Sequence, residues 1–128
     1  MSKKVFIIED DTIYLEFLKK NLRTKYKIYA YYNAEDATVA LRSIMPDVLI
    51  IDYKLPGMNG IELYEGVKDK IGSAKVIVMS GIDDGNLVLT FIKKGIRDYV
   101  IKDENVVESL VAIIEDDDSI YYDSGLDV

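Results

Sequence analysis

Asp52 stands directly behind the apolar run Val48-Leu49-Ile50-Ile51 and ahead of Tyr53-Lys54-Leu55-Pro56-Gly57. A continuous apolar run bounded by a Pro-Gly turn reads as a strand buried on both faces. A second such run, Val5-Phe6-Ile7-Ile8, leads into Glu9, Asp10 and Asp11. Two more strand-like runs lead to Ser80, after Val76-Ile77-Val78-Met79, and to Lys102, after Tyr99-Val100-Ile101. All strands of a parallel sheet end on one side. Glu9, Asp10, Asp52, Ser80 and Lys102 should therefore share one rim, where open α/β sheets hold their ligands. Carboxylates about 5 Å apart repel by roughly 3 kcal/mol per pair at an effective dielectric of 20. Such a cluster persists where a cation cancels the charge or a proton neutralises one member. All-oxygen ligands, in a chain without histidine or cysteine, favour magnesium over zinc. Ser80 adds a hydroxyl, and Lys102 a point charge on a long stem. A cation, a carboxylate, a hydroxyl and an ammonium together suit the acceptance of a phosphoryl group.

Strand-like and helix-like segments alternate five times along the chain. Hydrophobic periodicity predicts strands over about 4–9, 27–31, 48–51, 75–79 and 98–101. The second is more polar than the others and is expected at a sheet edge. The first helix is expected over about 12–24, with Tyr14, Leu15, Leu18 and Leu22 on one stripe and Asp11 as its cap. Asn33 suits the start of a helix running to about Ser43, before Met45-Pro46. Asn59 with Glu62 three residues on has the pattern of a capping box. The helix behind it carries Leu63, Val67 and Ile71 and exits at Gly72. The fourth helix is expected over about 84–94 with Leu87, Val88, Phe91 and Ile92 inward. The fifth is expected over about 104–115 with Val107, Leu110, Val111 and Ile114 inward. Five such units imply an α/β fold: a doubly wound parallel sheet with right-handed crossovers.

The chain has 128 residues, enough for one domain and its core. It carries 16 basic and 23 acidic residues, a formal charge of −7, which argues against nucleic-acid binding by this domain. The absence of cysteine and histidine removes disulfides, thiol nucleophiles and Ser-His or Cys-His designs. No apolar stretch reaches membrane-spanning length, and the four residues between Lys4 and Glu9 are too few for a signal-peptide core. The cytoplasm is the expected location. Residues 1–115 read as one domain. Residues 116–128 read as an acidic C-terminal tail or linker stub, because Glu115-Asp116-Asp117-Asp118 opposes the dipole at a helix C-terminus.

With these elements in order, the sequence resembles the receiver domain of two-component response regulators over about residues 4–115. The resemblance rests on the acidic pair Glu9-Asp10, on Asp52 with Leu-Pro-Gly-Met-Asn-Gly behind it, and on Ser80, Tyr99 and Lys102. It implies a flavodoxin-like sheet of order 2-1-3-4-5 with five helices. It also implies that Asp52 accepts a phosphoryl group from a sensor histidine kinase or phosphotransfer protein. Asp10, Asp52 and the backbone carbonyl of Lys54 would then ligate Mg2+, with Glu9 acting through a bound water. Ser80 and Lys102 would bind the phosphoryl oxygens, and Tyr99 would switch between outward and inward rotamers. The expected result is a phosphorylation-dependent switch rather than a turnover enzyme. Its output would lie on the face of the fourth helix, fifth strand and fifth helix, and that face could also form a homodimer. Leu89, Lys93, Lys94, Arg97 and Glu108 suit such an interface, and equally a solvated surface.

The chain departs from the family pattern in places. Asp103 follows Lys102 where proline is common, so Asp103 is free to cap the fifth helix and a cis peptide there is not expected. Glu9 replaces the commoner aspartate. Gly81 loosens the loop after Ser80. Lys54 and Ile82, two residues past Asp52 and Ser80, do not orient an attacking water well, which predicts slow self-dephosphorylation.

Taken singly, each site residue has a plainer reading. The acidic triplet could be a solvated strand end, Asp52 a turn former, Ser80 a loop start, Lys102 a surface charge, and Tyr99 a half-buried aromatic. Three other functions compete. A degenerate receiver would bind partners without phosphorylation. A dehalogenase-type aspartyl-phosphate hydrolase needs a second acid where Lys54 stands. A flavodoxin-like flavin carrier needs a phosphate cradle where Glu9-Asp10-Asp11 would repel it.

Overall fold

The structure is a computed structural model describing residues 2–81 and 87–116. Five parallel strands form one sheet: β1 (Lys4–Ile8), β2 (Lys27–Tyr31), β3 (Val48–Asp52), β6 (Lys75–Ser80) and β7 (Asp98–Ile101). Their order is β2-β1-β3-β6-β7, the flavodoxin-like order expected, with the polar β2 at an edge. β3 lies at the centre and is buried along its whole length. This explains why it reads as a continuous apolar run rather than an alternating one.

Side chains of adjacent residues point to opposite faces of the sheet. Val5, Ile7, Val48, Ile50, Ile77 and Met79 meet α1 (Thr12–Leu22) and α5 (Val106–Ile114) through Leu15, Leu18, Leu22, Val106, Leu110 and Ile114. On the other face, Phe6, Ile8, Leu49 and Ile51 pack with α2 (Ala34–Ala40) and α3 (Gly60–Val67). The short α4 (Val88–Lys93) buries Phe91 among Ile61, Val78 and Ile96.

Helix starts follow their local chemistry. The Asp11 carboxylate accepts from the N–H groups of Ile13 and Tyr14, closing the first turn of α1. Asn33 accepts from Asp36 N–H at the start of α2. Asn59 and Glu62 form a reciprocal capping box on α3. At the far end of α5, Lys3 and Lys75 donate to the carbonyls of Ile114 and Ile113, in the last turn where intrahelical donors run out.

Four expectations need correction. α2 ends at Ala40, not near Ser43, and beyond it the Arg42 and Ser43 N–H groups donate only three residues back, to Val39 and Ala40. Ile92 does not face inward. It is 61% exposed, because Phe91 fills the gap beneath the short helix and the next residue is rotated about 100° away. Asp103 does not cap α5. It accepts from Asn105 N–H in a turn before the helix, which begins at Val106 with no side-chain cap bond. Residues 53–59 contain more than a turn: β4 (Lys54–Leu55) and β5 (Met58–Asn59) form a small antiparallel hairpin. Pro56 and Gly57, the latter at φ +81, suit a type II corner. The predicted start of α4 near Asp84 lies outside the described residues, as does nearly all of the 116–128 tail.

Candidate functional site

Register brings the strand ends together. Ile8 pairs with Ile51, so Glu9 and Asp52 are the next residues on neighbouring strands. Asp52 pairs with Met79, and Ser80 follows. Ser80 pairs with Ile101, and Lys102 follows, its N–H donating to the Ser80 carbonyl at 2.9 Å. Among the described residues the buried polar or charged ones are Glu9, Asp52 and Ser80. All three lie on this rim. Buried polar groups are costly unless they are paired, so their clustering marks a built site.

Lys102 provides the pairing. Its Nζ lies 2.5 Å from Glu9 Oε1 and 3.0 Å from Asp52 Oδ1. The other Glu9 oxygen accepts from Asp11 N–H at 3.1 Å. Asp10 is exposed, yet one of its oxygens lies with oxygens of Glu9 and Asp52 inside a 4.8 Å group. Asp11 is committed to the helix cap and stands apart from this group.

The electrostatics follow from burial. Burial raises the Glu9 carboxyl from 4.5 to about 7. The Lys102 and Asp11 hydrogen bonds oppose that rise, and the nearby Asp52 charge adds to it. Burial works to lower the Lys102 ammonium, but the Glu9 and Asp52 carboxylates outweigh it and hold the group above its ordinary value. Three carboxylates against one ammonium leave an excess of negative charge. The donor set is all oxygen, and its spacing fits a small divalent cation.

Glu9, Asp10, Asp52 and Lys102 therefore converge, with Ser80 buried on the adjoining strand. Lys54 stands two residues beyond Asp52 in the hairpin, its side chain exposed. Tyr99 is 36% exposed and packs against Phe91 of α4, ring centres 5.8 Å apart. Gly60 explains why the start of α3 can sit so close to the end of β3. A Cβ there would lie 2.7 Å from the Asp52 carbonyl oxygen, and Gly60 N–H donates to the Tyr53 carbonyl.

One neighbour escaped the sequence reading. Tyr14, taken there as part of the core stripe of α1, lies with its ring beneath Lys102 Nζ at 4.7 Å. Its position four residues after Asp10, on the first turn of the helix leaving the rim, was the available signal.

Comparisons with known proteins point to one family. The family model described as response regulator receiver domain matches residues 5–120. The chemotaxis protein CheY of Thermotoga maritima is 30% identical over 116 residues, spanning 86% of this chain and 96% of that protein. The transcriptional regulatory protein CrdR of Helicobacter pylori is 29% identical over 124 residues, 94% of this chain and 58% of that one. The BeF3-activated DrrB receiver domain superposes with a TM-score of 0.77 at 23% identity, covering 91% of this chain and 100% of that one. A response regulator of Burkholderia pseudomallei reaches 0.79 at 21% identity, covering 98% of this chain and 74% of that one. The chain belongs to the response regulator receiver domain family.

Proposed function

We propose that this receiver is a Mg2+-dependent switch in which Asp52 accepts a phosphoryl group from a phosphohistidine on a sensor kinase or phosphotransfer protein. The observation that carries this reading is the buried Asp52 carboxylate, held at the rim by Lys102 in common with Glu9. An Asp52 oxygen attacks phosphorus, and the bond to the donor histidine nitrogen breaks in line with it. In-line placement rather than a neighbouring base makes the Asp52 carboxylate useful as a nucleophile. Lys102 and the Ser80 hydroxyl take the phosphoryl oxygens, releasing Lys102 from its resting contacts. Asp10, Asp52 and the Lys54 carbonyl would hold Mg2+, with Glu9 beside them. When bound, that ion neutralises charge on the transferring group.

The output is a population shift. Reversing a 1:99 equilibrium takes about 5.5 kcal/mol. Two charge-assisted hydrogen bonds of roughly 1.5–3 kcal/mol each supply most of it if they form only after phosphorylation. Tyr99 would follow by turning inward. The face of α4, β7 and α5, where Leu89, Ile92 and Tyr99 are exposed, would carry the signal to a partner or a second copy. Residues 1–115 would form the receiver unit and 116–128 the tail or linker stub. A cytoplasmic location fits this role, and no helix among the described residues is long and apolar enough to cross a membrane.

Mass spectrometry after treatment with acetyl phosphate and Mg2+ tests the proposal. A single labile phosphoryl adduct is expected on the wild type and none on Asp52→Ala. An unmodified wild type would favour the phosphorylation-independent receiver. Steady turnover of a phosphate ester would favour a hydrolase.

A further inference from the structure

We propose that the ring of Tyr14 is a positioning element for Lys102, keeping its ammonium beside Asp52 when a cation engages the carboxylates. The inference deepens the functional reading above and rests on it. Among the described residues Lys102 Nζ has neighbours of two kinds: the Glu9 and Asp52 oxygens, and the Tyr14 ring at 4.7 Å. The two carboxylates belong to the same group that would hold a divalent ion. A cation there draws on the negative charge that retains the ammonium and repels the ammonium directly. The aromatic face is a neighbour for which the metal does not compete. An ammonium over a partly desolvated ring is attracted by the ring quadrupole, with an effect comparable to a surface ion pair or larger.

The Tyr14 hydroxyl separates ring from polar group. Among the described residues it is a buried side-chain oxygen with no hydrogen-bond partner. Tyr14→Phe removes that oxygen and keeps the ring, so it isolates the contribution of the aromatic face. The ring is anchored from below by the α1–α5 core and flanked by Phe17, ring centres 5.7 Å apart. It is therefore a fixed platform rather than a mobile surface aromatic.

The test compares Tyr14→Leu with Tyr14→Phe in two measurements. The first is NMR of the Lys102 side chain in metal-free protein, assigned by its loss in Lys102→Arg. The Lys102 methylene next to the ammonium should show an upfield ring-current shift in the wild type and in Tyr14→Phe, and none in Tyr14→Leu. The second is the rate of Asp52 phosphorylation by acetyl phosphate at saturating Mg2+. Tyr14→Leu should slow it about fivefold, Tyr14→Phe should restore it to within about twofold, and Tyr14→Leu should add nothing in a Lys102→Ala background. Equal loss in the Phe and Leu variants would overturn the proposal. So would full persistence of the Leu effect without Lys102, the mark of a purely structural role, or the absence of a ring-current shift in the wild type. A wild type that takes no phosphoryl group refutes the functional reading and the positioning role with it, while the shift still decides whether the contact exists.

Discussion

Lys102 and Glu9 are 93 residues apart in the chain and meet at 2.5 Å, Nζ to Oε1, with Asp52 sharing the same ammonium. Glu9 is fully buried and Asp52 nearly so. The lysine thus stands in for a cation at rest. Two charges that would repel across the strand ends are tied to the last residue of the rim. Under the proposed function this tie would have to loosen for Lys102 to reach a phosphoryl oxygen, and activation would exchange one contact for the other.

Removing that ammonium should expose the cost of the site. In Lys102→Ala the Glu9 and Asp52 carboxylates remain buried without their partner. Breaking a buried pair in this way typically costs about 3–5 kcal/mol. Urea unfolding without divalent ions should show a loss near the lower end, since Lys102 itself is partly exposed. Millimolar Mg2+ should recover more stability in this variant than in the wild type. An unchanged midpoint would mean the pair contributes nothing.

Glu9 makes stability depend on pH. Its carboxyl sits at about 7 in the fold against 4.5 as an isolated group, chiefly through burial. The folded state therefore binds the proton more tightly than the unfolded one. The stabilisation is complete below about 4.5 and is lost as pH rises through about 7, amounting to roughly 3 kcal/mol. Metal-free protein should lose melting temperature between pH 5 and 7.5, and Glu9→Gln should flatten that slope. Added Mg2+ should stabilise more at pH 7.5 than at pH 5, because proton and metal compete for the same oxygens. Calorimetry across this range, with and without the ion, measures both effects.

Gly60 couples the fold to the proposed phosphorylation site. The Cβ introduced by Gly60→Ala would lie 2.7 Å from the Asp52 carbonyl and 3.0 Å from an Ile51 methyl. Backbone cannot yield as a side chain can, so Asp52 or the start of α3 must move. A loss of about 1–3 kcal/mol is expected from such crowding. Phosphorylation by acetyl phosphate should slow in the same variant, because a small displacement of the nucleophile is costly in rate. Normal stability with a normal rate would show that the helix start accommodates the methyl freely.

Much of this architecture was legible because the signals are local. The four-residue apolar run before Asp52 announces a central strand, and β3 is central and buried throughout. Asp11, Asn33 and the Asn59–Glu62 box cap their helices through bonds spanning two or three residues. The rim followed from topology alone, since parallel strands share an end. What escaped depends on packing between distant elements. Ile92 has the same character as Phe91, and only the size of the gap under α4 decides which one is buried. Asp103 suits a cap, but the chain takes another turn before α5 begins. The hairpin at 54–59 has two-residue strands, too short for any period to show. Tyr14 reads as one more apolar position until Lys102 arrives from the other end of the chain.

The lifetime of the phosphoryl group turns on the residues beside it. Hydrolysis needs a water placed behind phosphorus, in line with the Asp52 oxygen, and a nearby group that accepts a hydrogen bond from it. Lys54, two residues past Asp52, has an exposed ammonium that can donate but not accept. Ile82, two residues past Ser80, has no polar atom and lies outside the described residues. Neither side chain is a good orienter of an attacking water. Radiolabelled phosphoprotein in Mg2+ should therefore decay over minutes or longer, and decay within seconds would refute this. Lys54→Asn supplies a carbonyl acceptor at the same position. It should shorten the lifetime severalfold while leaving Asp52 as the modified residue. If decay is as slow in Lys54→Asn as in the wild type, water orientation at this position does not set the lifetime.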